Sequence, residues 1–202
     1  MTQKELMLKG FAHIALDDEL LGERMAAKKL VSGFNALEPD AQSEMEAILR
    51  QLFGKVGSCP HVEQPLRCDY GYNTEVGDFF YANYNLVILD IAKVKIGNNV
   101  LLGPNVGLYT VGHPIHVEPR NEGYEFGREI VIGDNVWIGG HVCVLPGARI
   151  GSNSVIGAGS VVSKDIPQNS VAAGNPCKVI RQITEADKDF FREKLLFHPE
   201  RV

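Results

Sequence analysis

Histidine is the side chain best suited to moving a proton near neutral pH, and this sequence holds six. Two of them, His113 and His116, share one segment, Gly112 to Arg128 (GHPIHVEPRNEGYEFGR), with two prolines and several charges. Long polar loops on rigid scaffolds concentrate function. An imidazole there could take a proton from a hydroxyl as that hydroxyl attacks an electrophile. His113, His116 and His141 are also the one conceivable set of three imidazoles for a zinc ion. The four cysteines, Cys59, Cys68, Cys143 and Cys177, show no CxxC spacing and read as reduced packing thiols. Lys164, Lys178 and Arg181 lie near Gly174-Asn175-Pro176 late in the chain. Singly, each reads as a solvated surface cation.

Rigid elements must hold these groups, and the chain supplies three textures. Residues 1–57 read as helices: Thr2 and Glu5 can form a capping box, Asp17 or Asp18 can cap a second helix, and a third opens near Pro39-Asp40. From residue 58 to 183 helical periodicity gives way to a six-residue period. Ile132, Ile138, Val144, Ile150, Ile156 and Val162 fall at six-residue steps, and a Gly or Ser follows five of the six. Small or medium side chains stand four residues after each, at Val136, Val142, Ala148, Ser154, Ser160 and Ile166. The same phase holds at Ile96, Leu102 and Leu108. Tyr70, Val76, Ala82, Ile88 and Val94 keep the period in another phase, which predicts a two-residue slip near Lys95. One apolar residue in six cannot make an amphipathic helix. It fits short strands joined by tight corners, three to a coil, stacked as a parallel β-solenoid. Phase returns after residues 112–128, so that segment is an excursion from one edge. Residues 184–202 return to helix, with Thr184 and Asp187 as its start and Phe190, Phe191, Leu195 and Leu196 as its apolar stripe.

Composition narrows the function. The chain has 202 residues, 45% of them hydrophobic and 22% charged, with a formal net charge of −5. Such a balance suits a folded globular chain and disfavours nucleic acid, which needs a basic face. The polar start Met1-Thr2-Gln3-Lys4-Glu5 leads into no apolar signal core, and no apolar run approaches the ~20 residues that span a bilayer. The expectation is a cytoplasmic protein. Glycine is in surplus, 21 of 202, and the hexads place it at coil corners.

Taken together, the hexads, the Gly-His-Pro of the excursion, Asn135-Val136-Trp137-Ile138-Gly139-Gly140, Phe80-Tyr81-Ala82-Asn83-Tyr84-Asn85 and Ala173-Gly174-Asn175-Pro176-Cys177-Lys178 resemble the hexapeptide-repeat acyltransferases. Within that group the likeness is to the maltose and galactoside O-acetyltransferases, over nearly the whole chain. The resemblance implies a mainly β, left-handed parallel β-helix with N-terminal helices, one excursion loop and a C-terminal helix. It also implies a homotrimer with active sites between subunits. Handedness does not follow from the periodicity, since parallel crossovers are otherwise almost always right-handed.

The resemblance also assigns roles. His113 is the expected base, and Asn83 contacts the reacting centre. The backbone N–H of Gly140 is the oxyanion donor. Asp90 falls in the sugar-binding carboxylate region, and Asp17, Arg24 and Tyr81 are further acceptor-site candidates. Glu125 is a candidate to orient His113 or to bind a sugar hydroxyl. Acetyl-CoA is the expected co-substrate, with no metal. Trp137 would pack along its pantetheine arm, Gly139 and Ala158 would leave room for it, and Ser163, Lys164, Lys178 and Arg181 would take its phosphates. Galactoside-type members tend to carry an acidic residue where this chain has Ile91, which tilts the acceptor toward glucose-like sugars acylated at the 6-hydroxyl. Gly10-Phe11-Ala12-His13 stands where the family usually has Gly-Glu-Leu-Tyr, a departure that bears on the acceptor and not on the chemistry. Alternatives are the same chemistry on a galactoside, an antibiotic hydroxyl or serine, a γ-class carbonic anhydrase, and a non-catalytic scaffold. The expected partners are therefore a sugar, acetyl-CoA and further copies of the chain, with no nucleic acid and no membrane.

Overall fold

A computed structural model describes residues 1–190. Helix α1 (Gln3–Leu8) opens with the predicted capping box, Thr2 and Glu5 each accepting the other's backbone N–H. Asp17 caps α2 (Asp18–Asn35), accepting from the N–H groups of Glu19 and Leu20. The third helix, α3 (Gln42–Leu52), starts just after the expected Pro39-Asp40, because those residues form a turn in which Ala41 N–H donates to the Glu38 carbonyl. The apolar stripes of α2 (Ala27, Val31, Phe34) and α3 (Met45, Leu49, Leu52) join the same hydrophobic core as Val62, Leu66 and Val76. The helices and the first coils are therefore one folding unit, with α2 lying on strand Leu66–Cys68.

Beyond them the chain winds as a parallel β-solenoid with three faces. One face stacks Lys55–Val56, Thr74–Val76, Val94–Ile96, Ile130–Ile132 and Arg149–Ile150. The second stacks His61–Val62, Tyr81–Ala82, Leu101–Leu102, Trp137–Ile138, Val155–Ile156 and Ser170–Ala173. The third stacks Leu66–Cys68, Leu86–Leu89, Gly107–Tyr109, Cys143–Val144 and Val161–Val162. All of these pairings are parallel. The hexad residues Ile132, Ile138, Val144, Ile150, Ile156 and Val162 all point inward and are buried. Val136, Val142, Ala148, Ser154, Ser160 and Ile166 are buried as well and fill the corners. Each fully buried Val or Ile contributes about 1.5–3 kcal/mol, which makes the period strict.

The slip in phase has a different origin from a single step near Lys95. In the upper part of the solenoid Ile138 pairs with Ile156, 18 residues on. In the lower part Cys68 pairs with Ile88 and Val76 with Ile96, steps of 20 residues. The two extra residues enter at the same corner in successive coils, between Cys68 and Val76 and again between Ile88 and Ile96. Tyr70 sits at the first of these corners. It is buried in a small satellite cluster with Met7, Leu20 and Ile91, outside the solenoid interior.

The excursion leaves from that corner one coil higher. It is folded, not loose: Val111–Gly112 pairs antiparallel with Tyr124–Gly127, which pairs in turn with the N-terminal strand His13–Ile14. A short helix, α4 (Val117–Asn121), forms its tip. The last coil closes with Ser170–Ala173 pairing antiparallel with Lys178–Gln182. Helix α5 (Glu185–Phe190) follows directly after Thr184. Phe191, Leu195 and Leu196 of the expected stripe lie outside the described residues.

Candidate active site

Two corners of the triangular coil gather most of the candidate site residues. The first is the corner from which the excursion springs. Asp90 is its frame: fully buried, its carboxylate accepts the Tyr70 N–H at 2.9 Å and the Thr74 hydroxyl at 3.1 Å, while Asn73 donates to its carbonyl. Its carboxyl is pushed up to about 6, chiefly by loss of solvation and against the pull of those hydrogen bonds. With no exposed surface Asp90 reaches no ligand directly. The half-buried Asp69 instead faces a cavity of about 460 Å³ between α2 and the third face, with Lys28, Ser32 and Arg67. Burial raises its pKa too. Sequence reasoning passed over Asp69. Its signal was an acidic residue at the two-residue insertion that recurs one coil later.

The charge on Asp90 gives a stability prediction with a definite sign. A carboxyl whose folded pKa exceeds its unfolded value holds more protons in the folded state between the two values, so its contribution falls as pH rises from 3.8 to about 6. Asp90→Asn keeps an acceptor for Tyr70 N–H and removes that dependence. Asp90→Ala strands the donors and costs about 1–3 kcal/mol. Urea unfolding at pH 4.5 and pH 7 is expected to show D90N gaining on the parent at the higher pH, with D90A below both.

Arg24 donates to the Tyr70 hydroxyl at 2.7 Å and to the Ala15 carbonyl, with its guanidinium over the Tyr70 ring. It fastens α2 to this corner. Asp17 keeps its capping role, accepting from the start of α2.

His113 stands on the excursion with its ring exposed. Its Nδ1 lies 3.3 Å from the Tyr124 carbonyl. A carbonyl only accepts, so Nδ1 carries the proton and Nε2 presents a lone pair. Glu125 makes no hydrogen bond to His113. Its carboxylate is bonded to the Nε2 of buried His13 at 3.2 Å, so a backbone carbonyl orients the candidate base. His116 accepts the Glu118 N–H at the start of α4, and His141 lies beside Asn105. Among the described residues no group of three His, Cys, Asp or Glu is placed to hold a metal ion.

The second corner joins the second face to the third. In-register pairing stacks Asn83, Gly103, Gly139 and Gly157 there, followed by Tyr84, Pro104, Gly140 and Ala158. Asn83 donates its backbone N–H to Leu102, and its amide oxygen accepts from Tyr84. Gly139 and Gly103 are required by close approach: a Cβ on Gly139 would meet the Ala158 nitrogen at 2.7 Å, and one on Gly103 would meet the Gly140 nitrogen at 2.6 Å. Among the described residues nothing accepts the Gly140 N–H. A preorganised, unpaired N–H is what a developing oxyanion needs. Outward along the second face run Tyr81, Leu101, Trp137 and Val155 in register, with Trp137 54% exposed and Tyr81 stacked on His61. Lys178 lies on the closing strand, and Ser163 and Lys164 follow the last strand of the third face. All three are exposed. Arg181 is engaged by Asp187 in a two-pronged pair at 2.6 and 2.9 Å.

Residues 6–57 match the maltose acetyltransferase hexapeptide capping motif, and residues 129–164 match the bacterial transferase hexapeptide of six repeats. The galactoside O-acetyltransferase of Escherichia coli is 48% identical over 191 residues, covering 95% of this chain and 94% of its own. The chain belongs to the maltose and galactoside O-acetyltransferase family. A maltose O-acetyltransferase from Clostridium difficile 630 superimposes with a TM-score of 0.90 at 55% identity, covering 91% of this chain and 98% of its own. A galactoside acetyltransferase in complex with coenzyme A gives 0.90 at 46% identity, covering 93% and 94%. Membership makes this protein an enzyme of the acyltransferase class. Among the described residues no helix is long and apolar enough to cross a membrane.

Proposed function

We propose that this enzyme transfers an acetyl group from acetyl-CoA to the 6-hydroxyl of maltose, glucose or a related sugar. The observation that carries the reading is the orientation of His113. With Nδ1–H held by the Tyr124 carbonyl, Nε2 takes the proton of the sugar hydroxyl as its oxygen attacks the thioester carbonyl carbon. The Gly140 N–H takes up the oxyanion. The C–S bond then breaks, and the imidazolium returns its proton to the CoA thiolate.

In one chain His113 and the Asn83–Gly140 stack stand on different corners of the prism. A homotrimer, in which one subunit's excursion closes over the next subunit's glycine corner, accounts for both. The apolar row of half-buried Tyr81 with exposed Leu101 and Trp137 supports such packing or a slim cofactor arm. Ile91, buried against Leu20 and Tyr70 where galactoside-type members carry an acid, supports a glucose-type acceptor. Asp69 is the carboxylate left to face a polar ligand, and Lys164 and Lys178 are cations placed for CoA phosphates.

The test is release of CoA against a panel of sugars. Maltose or glucose accelerates it over the hydrolytic background, and a panel in which no sugar does so sinks the reading. Lys178→Ala and Lys164→Ala each raise KM for acetyl-CoA about fivefold, near 1 kcal/mol, with kcat unchanged. The effect shrinks in high salt because the contacts are exposed.

A further inference from the structure

The departure at His13 builds something that the reaction can use. In the antiparallel pairing of His13–Ile14 with Tyr124–Gly127, His13 stands opposite Glu125 and Ile14 opposite Tyr124. His13 is 0% exposed and Glu125 6%. The His13 ring lies between two acceptors: Nδ1 is 3.2 Å from the Phe11 carbonyl and Nε2 is 3.2 Å from the Glu125 carboxylate. Both ring nitrogens therefore have a partner inside the protein, one on the N-terminal segment and one on the return strand of the excursion. A buried polar pair of this kind is costly unless fully bonded, and strongly directional when it is. It sits one residue from Tyr124, whose carbonyl holds His113. The tie runs on through the Ala15 N–H to the Gly123 carbonyl, and through Arg24 to the Ala15 carbonyl and Tyr70.

We propose that His13 and Glu125 are positioning residues for His113: their buried bridge fixes the Tyr124–Gly127 strand against the N-terminal segment, so that the Tyr124 carbonyl holds the imidazole with Nε2 toward the acceptor hydroxyl. This rests on His113 being the base. The excursion is joined to the solenoid only at its two ends, and displacement of its return strand moves the base directly. Misplacement of a reacting group by about 1 Å costs as much as hundredfold in rate.

The experiment compares His13→Gln, Glu125→Ala, Glu125→Gln and His113→Ala in the full-length enzyme, with kcat and KM measured per folded protein. E125A and H13Q lower kcat about ten- to hundredfold and leave KM for acetyl-CoA near that of the parent. E125Q recovers most of the rate, because a glutamine amide can donate to the Nε2 of a neutral His13 and keep the bridge. If H13Q does not fold, the E125A and E125Q pair decides. Parental kcat in E125A, or E125Q as slow as E125A, overturns the positioning role while loss in H113A leaves the base standing. Full activity in H113A overturns the base and the positioning role together.

Discussion

His113→Ala lowers kcat by about a hundred- to ten-thousandfold, the range for removal of a positioned general base, and leaves the melting temperature at the parent value. The two halves of this result have separate causes. His113 is exposed, and among the described residues its one hydrogen-bond partner is the Tyr124 carbonyl, so the fold loses no buried hydrogen bond. The chemistry loses the only imidazole of the excursion whose free nitrogen is not already engaged: His116 uses its Nδ1 to accept the Glu118 N–H, and it heads a helix at the tip. A sugar hydroxyl is un-ionised at neutral pH, so without a base its attack on a thioester must release a proton to water. KM for acetyl-CoA stays near the parent value, because the candidate cofactor residues lie on the other corner. His113→Gln tests the same point with the shape kept: it donates and accepts but takes up no proton, and falls as far as the alanine. Steady-state CoA release with a thermal melt on each sample checks all of this. A variant with parental kcat removes His113 from the chemistry.

How far the sequence foretold this follows from which forces act locally. The hexads were legible because each inward Ile or Val is buried in the same way in every coil, and a repeated demand writes a repeated letter. The capping box at Thr2 and the cap at Asp17 were legible because their bonds close within three residues. The 20-residue lower coils were blurred because the two extra residues enter at a corner where Tyr70 and Ile91 are buried against Met7 and Leu20, on helices far away in sequence. Asp90 illustrates the limit. Its position among carboxylates was readable, but whether it meets a ligand or the protein depends on the neighbouring coil, where the Tyr70 N–H, the Asn73 amide and the Thr74 hydroxyl take it. Glu125 was a candidate to orient His113 or to bind a sugar hydroxyl. Strand pairing turned it to His13 instead, 112 residues away in sequence, a contact that no local pattern encodes.

The sharpest expectation on the second corner contrasts two glycines. Gly103→Ala lowers kcat by about a hundred- to a thousandfold, the cost of losing one oxyanion donor, whereas Gly140→Ala, at the donor itself, costs far less. The reason is where each methyl goes. On Gly103 it would lie 2.6 Å from the Gly140 nitrogen, 2.9 Å from the Gly139 carbonyl carbon and 3.0 Å from the Gly140 Cα. All three are backbone atoms of the next coil and cannot rotate aside. The coils must part, which strains the bond from Gly103 N–H to the Ile138 carbonyl at 2.7 Å and shifts the Gly140 amide, the proposed oxyanion donor. On Gly140 the methyl meets Pro104 at 3.2–3.3 Å, a crowding relieved by a few tenths of an ångström, and the N–H stays where it was. Both variants are assayed for kcat and for binding of CoA by titration. G103A retains CoA binding more than turnover, because the transition state alone uses the displaced donor. If G140A proves as slow as G103A while both melt near the parent, the decisive property of this corner is empty space for a ligand, and the amide is not the oxyanion donor.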